Sequence, residues 1–562
     1  MRRIPISLGV ALGLVAFAET WAMPRASLGA EKAAPKPLAP HLAGLGVYHR
    51  PINTTSEEAQ KYFDQGMNLV FAFNHDEAIR SFESAAACDP NCAMAYWGIA
   101  LAHGPHYNNL KVTPEHAKAA WDALTKAKER SASCTPLEKA LIEALGRRYA
   151  DPQPEDRRSL DEAYASAMRG VWEKYPQDAD IGVFFAETLM NLRPWDLWTH
   201  DGEPQPGTPE ILATLETVLK LAPGHPLANH LYIHAVESSP TPEKGDAAAD
   251  RLRTVVPGLG HLVHMPSHID IRRGRWQPAI ETNEHAIEAD RTYRRIEPRQ
   301  GIYRIYMAHN HCMLAFAAMM QGESRRAIEA ARTLVAEIPE EWLGRPENAA
   351  FADSLLAFPI EVLVRFGRWD EILKEPEPSA SFPVARALHH SSRALAYSVR
   401  GRKAEARSSQ QVFREAASKA SKAAVFGGNL AVEILAVADA QLEGEILFRE
   451  GKVDEALASL RKAVALEDKL KYDEPPDWLS PVRHALGASL LRAGQAAEAE
   501  PVYRQDLVRW PENGWSLFGL ARSLEAQGKD REAAEVQARF ERVWKKADVE
   551  LSSSCFCQAV GP

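Results

Sequence analysis

The sequence predicts an all-α fold, and three observations carry that reading. Ala, Leu and Glu dominate the composition, strand-like alternation is scarce, and apolar residues recur at helical spacing through most of the 562 residues. A chain of this length exceeds one compact core, which leaves several domains or one elongated repeat array. Its 66 Lys+Arg against 75 Asp+Glu give a net charge of -9 without a long basic block. That balance argues against a nucleic-acid or anionic-membrane partner.

In chain order, residues 1–22, MRRIPISLGVALGLVAFAETWA, combine a short basic start, an apolar stretch from Ile4 to Ala18 and small residues at Ala16, Ala18 and Ala22. This is the pattern of a signal peptide, so the protein is expected in the periplasm or secreted, with a mature chain starting near Glu19 or Met23. Residues 23–50 open with MPRASLGAEKAAPKPLAP, which has almost nothing to bury and reads as a disordered linker. No later stretch is able to cross a bilayer, so no membrane insertion is expected after cleavage. Of six cysteines, Cys88 and Cys92 flank the turn DPN and are the expected disulfide. Cys555 and Cys557 sit in a tail, 549–562, expected to be flexible, where a strained bond, free thiols and an attachment point are equally open.

Between these ends the chain repeats itself. Gly66 is followed at +12 by Ala78, at +16 by Phe82, at +19 by Ala85 and at +24 by Pro90. Gly444 leads in the same way to Ala456, Leu460, Ala463 and Asp468, and Gly487 to Ala499, Tyr503 and Pro511. Small residues at fixed places let two antiparallel helices approach, a larger one fills the gap, and proline stops the second helix. These residues resemble the tetratricopeptide repeat (TPR) family, whose unit is a helix-turn-helix. The resemblance implies an α-α superhelical solenoid of roughly ten to twelve TPR-like units over about 51–548. It divides into an array at 51–345 and a second at 346–548. It also implies that the first helix of each unit lines a concave groove, the expected binding surface.

The stretch HLVHMPSHIDIRRGRW lies in a window, 225–311, that holds nine of the nineteen histidines. With Ala279 as the small residue of its unit, His261, His264 and His268 take repeat positions 2, 5 and 9. With Pro257 as the closing proline, His230, His234 and Glu237 take positions 5, 9 and 12. His309 and Cys312 take positions 2 and 5 of the next unit, and Glu187 position 9 of an earlier one. These positions form one helical stripe, and in the TPR family that stripe faces the groove. Inner helices lie roughly 8 to 10 Å apart, so imidazoles from successive helices are able to meet at one metal ion or two. Pro266 cannot donate to the carbonyl of Leu262, so a kink is expected inside the stripe.

Imidazole with an occasional carboxylate suits a transition metal, Cu or Zn first and Fe or Mn next. The metal ligands expected are His230, His234, His261, His264, His268 and His309, with Glu237 and Glu187 as ligand or general base. His225, His285 and His311 read as structural. Secondary candidates are His103 and His106, a lid at 191–210 carrying Trp195 and Trp198, and Asp473, Glu474 and Trp478 in an insertion followed by His484. Arg272, Arg273 and Arg275 read either as an anion site or as a solvated helix end. No HExxH, Walker, GxSxG or CxxCH motif is present. Three functions remain: a metal-dependent enzyme acting on a small molecule, an interaction scaffold binding a peptide or protein partner in the groove, and a metal-handling protein.

Overall fold

The computed structural model describes residues 39–343, 348–422 and 424–558. The expected signal peptide at 1–22, residues 23–38 of the expected linker, the expected 345/346 boundary and residues 559–562 lie outside them. The fold is an all-α solenoid of TPR-like helix pairs, and the only strands among the described residues are the short hairpin Val425–Phe426 and Asn429–Leu430.

The repeat offsets translate directly into packing. Phe82, in the outer helix His75–Cys88, wedges between two inner helices that carry glycine where it lands. A Cβ on Gly66 or on Gly98 would sit 2.5 Å from its ring, closer than any real contact. Tyr503 fills the same place between Gly487 and Gly519, and Leu460 lies against Gly444. Helix starts carry the side chains that satisfy otherwise unpaired backbone N–H groups. Ser56 Oγ accepts from Ala59 N at 3.1 Å, and Thr135 and Glu138 form a reciprocal capping box.

Pro266 acts as expected. It splits the inner helix into Gly260–His264 and Pro266–Arg272. Only Met265 lies between them, itself in helical conformation, and His268 N still donates to Met265 O at 3.2 Å. The three imidazoles therefore stay on one face.

Both chain ends depart from expectation. Residues 39–50 are not a free linker: Tyr62 OH donates to Ala39 O at 2.9 Å, Leu42 N to Gln65 Oε1 at 2.9 Å, and Arg50 pairs with Asp180 at 2.5 Å. The tail is anchored as well. Ser554 Oγ bonds Tyr503 OH and His484 O at 2.7 and 2.9 Å, and Gln558 Nε2 donates to Glu445 Oε2 at 2.6 Å. In each case a few buried polar side chains of the array bind a segment too short to have a core of its own.

The cysteine expectation is also corrected. Cys88 and Cys92 are free thiols, and the disulfide joins Cys555 to Cys557. Cys88 ends one helix and the buried Cys92 caps the next, while Asp89 closes the turn by accepting from Thr54 Oγ1 at 2.6 Å and Asn91 N at 3.0 Å.

The last repeats fold back onto the middle of the chain. Trp515 Nε1 donates to Met319 O at 2.8 Å, Trp276 Nε1 to Glu512 O at 3.0 Å, and Asp548 accepts from Ser324 N at 2.7 Å. This closure brings the insertion around 472–474 over the histidine stripe.

Candidate metal centre

Four helical segments build the site. Pro226–Glu237 is buried along its whole length, an uncommon environment for the polar residues it carries. Gly260–His264, Pro266–Arg272 and Arg304–Met320 bring the remaining imidazoles. The six rings form a chain with centroid separations of 5.0 Å (His230–His234), 4.9 Å (His230–His261), 5.7 Å (His261–His264), 4.7 Å (His264–His268), 4.7 Å (His264–His309) and 5.6 Å (His234–His268). Two triads emerge, His230/His234/His261 and His264/His268/His309. In each, one atom per ring lies within 4.8 Å of the others. All six expected ligands are thus gathered, five buried and His309 partly so.

Hydrogen bonds fix which nitrogen each ring offers. His230 Nδ1 donates to Phe71 O at 2.8 Å and His234 Nδ1 to Glu237 Oε1 at 2.8 Å. The tautomers that follow leave a lone pair on each Nε2. Those two atoms and both ring nitrogens of His261 are buried without a partner. An unmade hydrogen bond on a buried group costs about 1–3 kcal/mol, so these atoms together burden the fold unless something binds them. His225, by contrast, is satisfied: its Nε2 meets Asp180 at 2.9 Å and its Nδ1 accepts from Ala228 N at 3.2 Å. His285 is exposed, and His311 turns to Glu337 at 3.8 Å, away from His309.

The second triad is organised around one charge. Asn283 donates to Ala279 O at 2.8 Å, so its Oδ1 accepts from His264 Nδ1 at 2.8 Å and the lone pair of His264 falls on Nε2. That lone pair meets His268 Nε2 at 2.8 Å. On its other side His268 Nδ1 lies 2.6 Å from Glu237 Oε2 and 3.2 Å from Glu474 Oε2, near enough to attract strongly though off the line of a good hydrogen bond. Burial opposes charge on His268, but the two carboxylates prevail and raise its pKa to about 10. Elsewhere burial wins. It lowers His309 to about 3 and holds His230, His261 and His264 well below the ordinary value, with like charge on neighbouring rings adding to the effect. Glu237 itself falls to about 2, because His268 and His234 overcome its burial.

Glu237, expected as ligand or general base, joins His234 and His268 in a third group whose ligand atoms lie within 4.8 Å of one another. It lies behind the rings, on the Nδ1 side, and ties one imidazole of each triad to the other. Glu187 differs from expectation: it belongs to neither triad, its charged neighbour is Arg148, and burial pushes its carboxyl up to about 7. Position on a stripe says nothing of depth along the superhelix.

Of the secondary candidates, Glu474 reaches the site. Tyr472 OH donates to its other oxygen. Asp473 and Asp477 instead grip the hairpin, accepting from Gly428 N at 2.7 and 3.1 Å. The arginines have partners within the chain: Arg273 and Arg275 pair with Asp246 at 3.3 and 3.0 Å, and Arg272 lies over Tyr472 at 5.6 Å. His103 pairs with His116 at 3.0 Å, whereas His106 stacks on Phe73 at 4.3 Å beside the first triad. His484 is structural, bonded to Asp506 at 2.8 Å.

Aromatic rings wall the first triad. Phe73 packs on His230 at 4.5 Å, Tyr306 on His261 at 4.7 Å, and Trp195 and Tyr107 on His234 at 5.1 and 5.2 Å. Trp195 comes from the expected lid, which Trp198 anchors by donating to Ala235 O at 2.9 Å. Phe73 (φ 56°) and Trp195 (φ 58°) both hold left-handed backbone without being glycine. Such strain costs about 1–3 kcal/mol and gathers at functional sites.

No protein-family model and no curated protein matches this chain. Among solved structures, the human IFIT1 dimer with m7Gppp-AAAA is 15% identical over 88% of this chain and 91% of its own, at a TM-score of 0.32. The APC/C hetero-tetramer Cut9–Hcn1 is 13% identical over 89% and 78%, at 0.29. Yeast Tom70 is 12% identical over 87% and 91%, at 0.26. At those scores none of them bears on what this site does.

Proposed function

We propose that the chain is an exported, metal-dependent enzyme acting on a small molecule, with two transition-metal ions held by the triads His230/His234/His261 and His264/His268/His309. The observation that carries this reading is the set of buried, unpartnered nitrogens on His230, His234 and His261, in rings that Phe71 O and Glu237 already orient. The donor set fits: nitrogen ligands favour Cu or Zn, then Fe or Mn, and the carboxylates are too few for Ca or Mg. Bound ions would supply Lewis-acid or redox chemistry at positions the three imidazoles leave open. The chain's own residues do the rest. Glu237 fixes the tautomer of His234 and draws a proton to His268 Nδ1, Glu474 meets that same nitrogen, and Phe73, Tyr107, Trp195 and Tyr306 exclude water.

Elemental analysis of protein purified from its native compartment tests the proposal, with two ions per chain expected. If no transition metal is found, and Cu, Zn, Fe and Mn all fail to raise the unfolding temperature, the interaction scaffold becomes the better account, since a TPR-like groove also suits a peptide or protein. Among the described residues no helix is long and apolar enough to cross a membrane. N-terminal sequencing tests export: a mature start near Glu19 or Met23 supports it, and retention of Met1 removes it.

A further inference from the structure

A second cleft lies in the C-terminal array, outside the histidine cluster. The inner helices Ala349–Arg365, Pro383–Val399 and Ala431–Arg449 line it with the loop 478–480, and it holds about 520 Å³ of empty space, mouth included. Its walls are mainly apolar, with Leu388, Leu395 and Trp478 among them. Trp478 is fixed in place, since its Nε1 donates to Gln441 Oε1 at 3.2 Å.

Into this apolar setting the fold places Glu361, 9% exposed, and Glu445, fully buried. Glu445 Oε2 is bound by Arg449 at 3.1 Å and Gln558 at 2.6 Å, but its Oε1, Glu361 Oε1 and Ser480 Oγ are buried without partners. Arg365, one turn along the helix from Glu361, does not neutralise it, because its guanidinium lies over Trp515 at 3.6 Å. Three oxygens thus lack partners in a cleft whose lining holds no Lys, Arg or His. An uncompensated buried carboxylate is costly, so it protonates or takes a cation.

We propose that this cleft binds a small organic cation, a primary ammonium group on a short apolar chain. The ammonium donates to Glu361 Oε1, Glu445 Oε1 and Ser480 Oγ, three acceptors for its three N–H bonds. The chain lies against the leucines and the Trp478 ring, whose face attracts the cation. A metal ion fits worse: a hard cation wants six or more oxygens, and the two sulfurs beside Glu445, those of Cys555 and Cys557, are joined in a disulfide. Burial pushes Glu361 up to about 8, the signature of a carboxyl lacking its counter-charge.

The test uses the full-length protein and three isosteric probes, n-butylammonium, 1-butanol and butyrate, followed by saturation-transfer NMR and tryptophan fluorescence. Butylammonium should bind at least tenfold more tightly than butanol, and butyrate not at all. E361Q should reduce butylammonium binding at least tenfold and leave butanol unchanged. E445Q serves as the second variant, and thermal unfolding checks that both fold. H268A should bind butylammonium as the wild type does, which separates the cleft from any amine bound at the imidazoles. Nα-acetyl-lysine amide tells whether the head group is taken free or on a lysine side chain; binding of either supports the site. Equal binding of butanol and butylammonium, or wild-type ammonium binding in both glutamine variants, overturns the proposal.

Discussion

Helix Pro226–Glu237 in the N-terminal groove and helix Ala431–Arg449 in the C-terminal groove occupy the same place in the repeat, yet they present different chemistry. The first turns His230, His234 and Glu237 inward, while the second turns Ala438, Leu442 and Glu445 inward. Burial acts on both in the same sense, toward the uncharged form: it holds His230 well below the ordinary imidazole value and raises Glu445 above the ordinary carboxyl value. The outcomes differ because a neutral imidazole keeps a lone pair for a metal, whereas a neutral carboxyl must lose its proton before it draws a cation. The solenoid supplies the stripe. The side chains on it decide what enters.

The comparison breaks most visibly if the imidazoles are not independent of the second groove. Replacing His261 or His268 with Ala should each reduce bound metal from two ions per chain to one, with helix content by circular dichroism unchanged. H285A, on an exposed outer face, should keep both. Loss of all metal in either triad variant would mean one shared site rather than two.

A smaller effect is expected behind the rings. E237Q keeps the shape but weakens the hold on His234 and His268, and changes of this kind cost about 10–100-fold in metal affinity. Competition with a chelator measures it. An unchanged affinity would remove Glu237 from the site and leave it a core residue.

The third prediction concerns pH and the carboxylate groove. Glu361 has a folded pKa near 8, above its unfolded value near 4.5. Between those values unfolding releases a proton, so the contribution of Glu361 to stability is full below pH 4.5 and is lost as pH rises through 8. The slope reaches about 1.4 kcal/mol per pH unit. E361Q has no such term, so denaturation of both proteins from pH 5 to 8 should show the variant gaining relative to the wild type. A constant difference would mean that Glu361 is already paired with a cation.

The smallest effect is expected at the lid. Trp195 is 42% exposed yet packs on His234, so W195A should speed removal of metal by a chelator about severalfold without changing the amount bound. An unchanged rate would place the entry path elsewhere, for instance at the partly buried His309.

The repeat was legible because Gly66, Phe82 and their counterparts mark contacts made within one helix pair and its neighbour. The histidine stripe was legible for a related reason: positions 2, 5 and 9 share a face whatever the rest of the chain does. Glu474 entered only as a member of an unusual insertion, since its contact with His268 depends on closure of the whole superhelix. The left-handed backbone of Phe73 and Trp195 carried no signal, because positive φ at a non-glycine residue is imposed by the surrounding packing. Cys88 and Cys92 had the spacing for a bond, but whether thiols meet depends on how the helix end and the following cap are turned.

Closure of the superhelix also gives the site a history within the life of each molecule. During synthesis all six imidazoles leave the ribosome before Tyr472 and Glu474 do, and Trp515, which secures the fold-back on Met319, follows later still. A nascent chain therefore carries the histidines without the second carboxylate that meets His268 Nδ1. An ion captured early would meet water there, and one captured after closure would not. If the triads hold metal as proposed, the order of assembly, as much as the identity of the ligands, would set which ion the finished protein keeps.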